Sequence, residues 1–291
     1  EHARAALAES RRAGPGSLHF YSDTLRLLPE LRLDFVRELR NAIAADEIEL
    51  RYAGRHDLAT GRLDAVHAYM RWRHPLRGVV HPGEFLPIAI SNGLGVALSR
   101  CALSRVQKDM PALRAACGAT ARISFGPLRE HLVSGTLMEE VEELLKSTGL
   151  EPGMFEVRIA EKTLASLSRA DRVVSQLAAR GTNLVIDEFG RGYSALARIA
   201  QLPIQALQID RRYVTAAPEK PAALRFCLGA IALAHAYDLT PIASGIDNES
   251  VRQQMLGLGC EQGLGDCFGS ISLSVAPQAA APQPRPQAQA A

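Results

Sequence analysis

The chain has 291 residues, 47% hydrophobic and 22% charged, and its 33 lysines and arginines nearly balance 31 aspartates and glutamates for a formal charge of +2. That is enough apolar material for one large core and a fragment besides, and too much for a chain disordered throughout. So even a balance gives no footprint for a nucleic-acid backbone, and the longest apolar stretch, 226–239, contains His235 and Asp238 and falls short of the roughly 20 residues a membrane span needs.

In chain order, residues 1–13 read as a short helix broken by Ala13-Gly14-Pro15-Gly16, and 17–22 alternate like one strand. A lone helix and strand cannot make a core, so they are expected to belong to a preceding domain, and the start at Glu1 rather than Met suggests a piece of a longer protein. Residues 33–45 carry Leu33, Val36, Leu39 and Ile43 at helical spacing, 49–52 and 63–72 read as strands, and 83–92 and 96–117 as helices. Short runs rich in Ile, Val and Leu follow at 122–125, 155–159, 184–186, 206–209 and 241–243, each separated from the next by a helical stretch. Such alternation predicts an α/β fold with a parallel sheet, and its length of about 240 residues suits a closed (β/α)8 TIM-like barrel. An open doubly wound sheet is the alternative, without a G-x-G-x-x-G after a first strand. Residues 276–291 collapse to Ala, Pro and Gln with one Arg and are expected to be a disordered tail. The cysteines, at 101, 117, 227, 260 and 267, show no C-x-x-C spacing and read as reduced thiols of a cytoplasmic protein.

In a barrel, chemistry sits where strands end. Those ends carry Arg71 and Trp72, Gly126, Arg158 with Glu161, Asp187 with Glu188, Gln208 with Asp210, and Ser244 with Asp247. The adjacent acids Asp187 and Glu188, before Phe189-Gly190-Arg191-Gly192-Tyr193, are candidates for a cation or phosphate site. Successive strand residues face opposite sides, so only one of the two need enter the pocket, and a solvated acid pair on a strand-to-helix loop is the plain alternative.

The segments 58–62 (LATGR), 71–75 (RWRHP), 78–89 (GVVHPGEFLPIA), 187–194 (DEFGRGYS), 202–203 (LP), 208–210 (QID) and 258–260 (LGC) together resemble an EAL domain, the bacterial cyclic di-GMP phosphodiesterase family. The resemblance implies a (β/α)8 barrel of the EAL type with one antiparallel strand, here over 31–275. Residues 1–30 resemble the C-terminal end of a GGDEF-like domain plus a linker.

Active members of that family hold two divalent cations, Mg2+ or Mn2+, in a ring of oxygen donors that activate water. At the matching positions this sequence has His67 for a glutamate, Gly126 for an asparagine, Arg158 for a glutamate with Glu161 retained, Asp187 retained with Glu188 for its paired aspartate, Gln208 for a lysine, Ser244 for a glutamate and Leu264 for a glutamine. A guanidinium about 4 Å from a divalent ion is repelled by roughly 8 kcal/mol even at an effective dielectric of 20. The expectation is therefore a vestigial pocket of His67, Gly126, Arg158, Glu161, Asp187, Glu188, Gln208 and Ser244, with no catalytic residue, no metal and no cofactor, in a pseudoenzyme of the family. Arg158 is expected to replace the metal as countercharge, its fork bonding both Asp187 and Glu188; a rotamer turned to solvent is the alternative.

Arg71 matches the family's phosphate-contacting arginine, whereas Ala53, Ile90 and the bulky Tyr69 depart from it. The resulting expectation is a signalling module of bacterial cyclic di-GMP pathways that acts through a protein partner or self-association. A metal-independent cyclic di-GMP receptor is the first alternative and an active phosphodiesterase the second.

Overall fold

The computed structural model of the chain describes residues 29–166, 170–192, 199–271 and 273. The expected helix at 1–13, strand at 17–22 and tail at 276–291, with Tyr193 and Ser194 of the 187–194 segment, lie outside the described residues.

Helix α1 (Pro29–Ala44) leads into strands β1 (Ile48–Asp57), β2 (Leu63–His74) and β3 (Gly78–Val80), then helices α2 (Pro82–Ser91) and α3 (Gly95–Cys117). There follow β4 (Arg122–Phe125), α4 (Arg129–Ser134), α5 (Leu137–Thr148), β5 (Phe155–Ala160), α6 (Glu161–Ser166), α7 (Ala170–Ala179) and β6 (Asn183–Phe189). The chain then runs through β7 (Ala206–Ile209), α8 (Arg211–Ala216), α9 (Pro221–Ala236), β8 (Thr240–Ser244), α10 (Glu249–Gly257), β9 (Gln262–Leu264) and β10 (Ser270–Ile271). Strands β2, β4, β5, β6, β7, β8 and β9 pair in parallel, and β1 closes the ring antiparallel to both β2 and β9. The result is the expected eight-stranded barrel with one antiparallel strand, with β3 and β10 added at its rim.

Alternation along the strands divides the core in two. Leu184 and Ile186 join the large apolar layer between barrel and helices, while Val185 between them packs with Ala206, Ile242 and Leu264 inside the barrel. Arg158 is the register partner of Val185, flanked by outward Val157 and Ile159, so its side chain enters the lumen. His67, Ser124 and Glu156 form one register row across β2, β4 and β5. Helix α1 packs Phe35, Leu39 and Ala42 with Trp72 and Phe85 in a separate cluster.

The closing strand β9 carries no strand signal in the sequence, being three residues around a glycine. Gly263 is required there by close approach, because a Cβ would collide with Ile246 and Leu58 side chains.

Candidate functional site

Parallel strands deliver their C-terminal ends to one rim, and a cleft of about 810 Å³ opens there. Its walls are apolar: Pro82, Leu86, Pro87 and Ile90 from α2, and Pro127 and Leu128 from the loop after β4. Its floor holds Gly126, Arg158, Asp187 and Glu188, and Arg129, Lys162 and Arg191 stand around it. A smaller hollow of about 140 Å³, lined by Tyr69, Gln208, Asp210 and Ser244, shares Asp187, Glu188 and Arg191 with the cleft.

Arg158 organises the floor. It is 4% exposed, and its Nη1 donates to Asp187 Oδ2 at 3.2 Å and to Tyr69 Oη at 3.5 Å, while Nη2 donates to the Ala68 carbonyl at 3.1 Å. Its Cζ lies 5.0 Å from the Tyr69 ring centroid, within cation–π range. Asp187 Oδ1 accepts from Gln208 Nε2 at 2.6 Å and from the Glu188 backbone N–H at 2.8 Å. A Cβ at Gly126 would sit 3.5 Å from Arg158 Nη2, so a longer side chain there and this guanidinium compete for one space.

The predicted fork to both carboxylates forms only in part. Glu188, at a left-handed φ of 56°, accepts from Arg191 Nη1 at 3.0 Å, and burial raises its carboxyl above the usual range. Arg191 Nε also reaches Asp210 Oδ2 at 2.6 Å. The retained Glu161 is 2% exposed and accepts the Gly190 and Gly192 backbone N–H groups on Oε2 at 2.9 and 2.7 Å, holding the loop after β6.

Beneath the floor lies an ionic network that the sequence reading missed. Arg55, 1% exposed, places Nη1 and Nη2 on Glu156 Oε1 and Oε2 at 2.9 and 2.7 Å, and it also bonds Asp64, which Arg122 shares. Burial opposes the charge on Arg55, but Glu156 and Asp64 outweigh it and hold the guanidinium above its usual value. A signal was present: alternation in Phe155-Glu156-Val157-Arg158-Ile159 puts Glu156 and Arg158 on one face.

His67 joins the two layers. Arg55 has only donors to offer at 3.5 Å from His67 Nε2, so that nitrogen accepts and the ring proton falls on Nδ1, 3.4 Å from Tyr69 Oη. Burial first, then Arg158 and Arg55, hold this imidazole well below its usual pKa, so it is neutral. The structure thus brings together His67, Gly126, Arg158, Asp187, Glu188 and Gln208, with Glu161 behind the loop and Ser244 across the smaller hollow. Arg71 stands apart: its Nη1 donates to the Met70 carbonyl at 2.8 Å, and it is not among the residues lining the cleft.

The model of the EAL domain family matches residues 36–270. The Cyclic di-GMP phosphodiesterase NbdA of Pseudomonas aeruginosa is 30% identical over 248 residues, covering 85% of this chain and 32% of that protein. The Bifunctional diguanylate cyclase/cyclic di-GMP phosphodiesterase MucR of the same species is 26% identical over 269 residues, covering 92% and 39% respectively. This chain therefore spans about a third of the length of these curated relatives. Among solved structures, the PaMucR phosphodiesterase in its c-di-GMP complex superposes with a TM-score of 0.77 at 26% identity over 82% of this chain and 97% of that one. The FimX EAL domain from Pseudomonas aeruginosa bound to c-di-GMP shares the fold, with a TM-score of 0.70 at 20% identity over 80% and 93%.

These matches correct two expectations, that the chain is no enzyme and that it takes no cofactor. The matched family is one of metal-dependent phosphodiesterases, with Mg2+ or Mn2+ implied, and a relative 30% identical carries that activity in its name. Substituted donors describe how one pocket is built; they do not remove the chain from a family of enzymes. The side chains as arranged here do not fit a pair of such cations. Both Asp187 oxygens are engaged, Glu188 faces Arg191, Glu161 caps backbone N–H groups, and a guanidinium stands among them. Among the described residues no helix is long and apolar enough to cross a membrane.

Proposed function

The chain belongs to the EAL domain family, and from that premise we propose that it binds cyclic di-GMP in the cleft at the barrel mouth and passes its occupancy to a protein partner. The cleft itself carries this reading. A cyclic dinucleotide joins flat purine rings to two anionic phosphodiesters, and the cleft offers the complementary surfaces: apolar walls from Leu86, Pro87, Ile90, Pro127 and Leu128, and cationic groups at Arg129, Arg158, Lys162 and Arg191. Its volume of about 810 Å³ lies in the range of ligand sites, about 300–1,000 Å³.

Relatives named as phosphodiesterases and neighbours solved with c-di-GMP support the choice of ligand. Calorimetric titration tests it, with and without Mn2+, alongside chromatography for linear pGpG. Saturable binding is expected, with a thermal shift reflecting about 2.7 kcal/mol at ligand 100-fold above Kd. Absence of heat and of thermal shift at about 100 μM ligand would refute the binding reading.

A further inference from the structure

We infer that Arg158 is the phosphate anchor of this cleft, and that the missing side chain at Gly126 is what opens the anchor to the ligand. The inference rests on the binding reading above and assigns it a contact that the family resemblance does not supply, since the matching residue there is a carboxylate.

A guanidinium has five N–H donors in a planar fork. Asp187 and Tyr69 take the two on Nη1, and the Ala68 carbonyl takes one on Nη2. One donor on Nε and one on Nη2 remain, and Arg158 Nε is buried without a partner. Adjacent nitrogens with one N–H each are the half of an arginine fork that two oxygens of a phosphate bridge. Nη2 is also the atom nearest to where a Cβ at Gly126 would stand, at 3.5 Å, and both residues line the cleft. The ion pair with Asp187, the Tyr69 ring and the Ala68 carbonyl fix the guanidinium before the ligand arrives, which spares the ordering cost of a flexible cation. Across Asp187, the buried Gln208 Oε1 also lacks a partner, leaving an acceptor beside the anion site for a ligand hydroxyl.

The test compares the wild-type chain with Arg158→Met, Arg158→Lys and Gly126→Val, titrating each with cyclic di-GMP and with guanosine and recording each melting temperature. Arg158→Met is expected to weaken cyclic di-GMP by about 30-fold or more, two charge-assisted bonds being lost, and Arg158→Lys by about tenfold, since a point charge keeps attraction without the fork. Gly126→Val, whose side chain crowds the guanidinium, is expected to weaken it by about tenfold and to lower the melting temperature as well, so guanosine affinity is the control that separates loss of the phosphate contact from loss of fold. Guanosine, which has no phosphate, is expected to bind all four alike. If the wild type binds cyclic di-GMP but Arg158→Lys and Gly126→Val bind it equally well, the anchor is refuted and the binding reading stands. If guanosine loses affinity in step with cyclic di-GMP, Arg158 is not reading phosphate and the inference fails. If the wild type binds no cyclic di-GMP, the functional reading fails and the anchor with it.

Discussion

Replacing Arg55 by methionine probes whether the barrel lumen is held by its ionic network or merely tolerates it. Methionine keeps most of the volume but strands Glu156, whose side chain is 3% exposed and retains the Ser124 hydroxyl at 2.6 Å. Asp64 suffers less, being 14% exposed and still paired with Arg122. Removing one member of a buried pair costs about 3–5 kcal/mol, because the other charge is left desolvated. For a domain of this size about 1 kcal/mol moves the melting temperature by about 2–4 °C, so Arg55→Met should melt about 6–20 °C lower. Calorimetry of Arg55→Met, Glu156→Leu and the double variant separates pairing from packing. With neither charge present no ion is stranded, and the double variant should lose about 2 kcal/mol less than the two singles added together. A melting shift below about 2 °C for Arg55→Met, or strict additivity in the cycle, would refute the reasoning.

At the floor, Arg158→Glu sets a carboxylate beside Asp187, and like charges about 4 Å apart repel by about 4 kcal/mol at an effective dielectric of 20. Chemical denaturation should therefore show a deficit well beyond that of Arg158→Met; equal deficits would mean that the side chain does not face Asp187. His67 is buried neutral with its pKa depressed, so the unfolded chain binds its proton first and stability is lost as pH falls from about 6.5 toward the folded value. His67→Gln should flatten the stability profile between about pH 7 and 5 by up to about 1.4 kcal/mol per pH unit, and an unchanged slope would contradict a neutral buried imidazole. Restoring oxygen donors together, as His67→Glu, Gly126→Asn, Arg158→Glu and Ser244→Glu, should tighten Mn2+ binding by at least about tenfold in calorimetry and raise pGpG release. No gain in a folded variant would show that these positions do not surround one site.

The barrel was legible because parallel strands buried on both faces leave apolar runs at regular intervals, and 122–125 and 206–209 match β4 and β7 residue for residue. The strand ends carry residues that the barrel brings to one rim: Gly126, Arg158 and Asp187 line the cleft, and Gln208 lines the smaller hollow beside it. What stayed hidden depends on partners distant in sequence or on single backbone torsions. Arg55 and Glu156 are 101 residues apart, and nothing local in either segment announces the other. Glu188 was expected to bond Arg158, but its carboxylate pairs with Arg191 instead, and nothing in the residue pattern announces its left-handed φ. Glu161 was expected in the pocket as a retained acid, and nothing in the sequence announced that its Oε2 would accept two backbone N–H groups of the glycine-rich loop after β6.

The substitutions at the floor form one physical unit. A guanidinium at 158 needs a carboxylate to offset its burial, which Asp187 provides, and it needs room, which only a small residue at 126 leaves. A lysine at 208 would set a second cation against Asp187 Oδ1, whereas Gln208 donates there without adding charge. An anionic residue at 67 would compete with Asp187 and Glu156 for Arg158 and Arg55, whereas neutral His67 accepts from Arg55 and faces Tyr69 without changing the charge balance. Changing any one of these four alone therefore creates either an unpaired charge or a clash, and the cost should fall when the partner is changed with it. Gly126→Asn in the background of Arg158→Glu should cost less stability than Gly126→Asn alone, because the guanidinium that the asparagine would displace has already gone. Equal costs in the two backgrounds would show that residues 126 and 158 do not share that space.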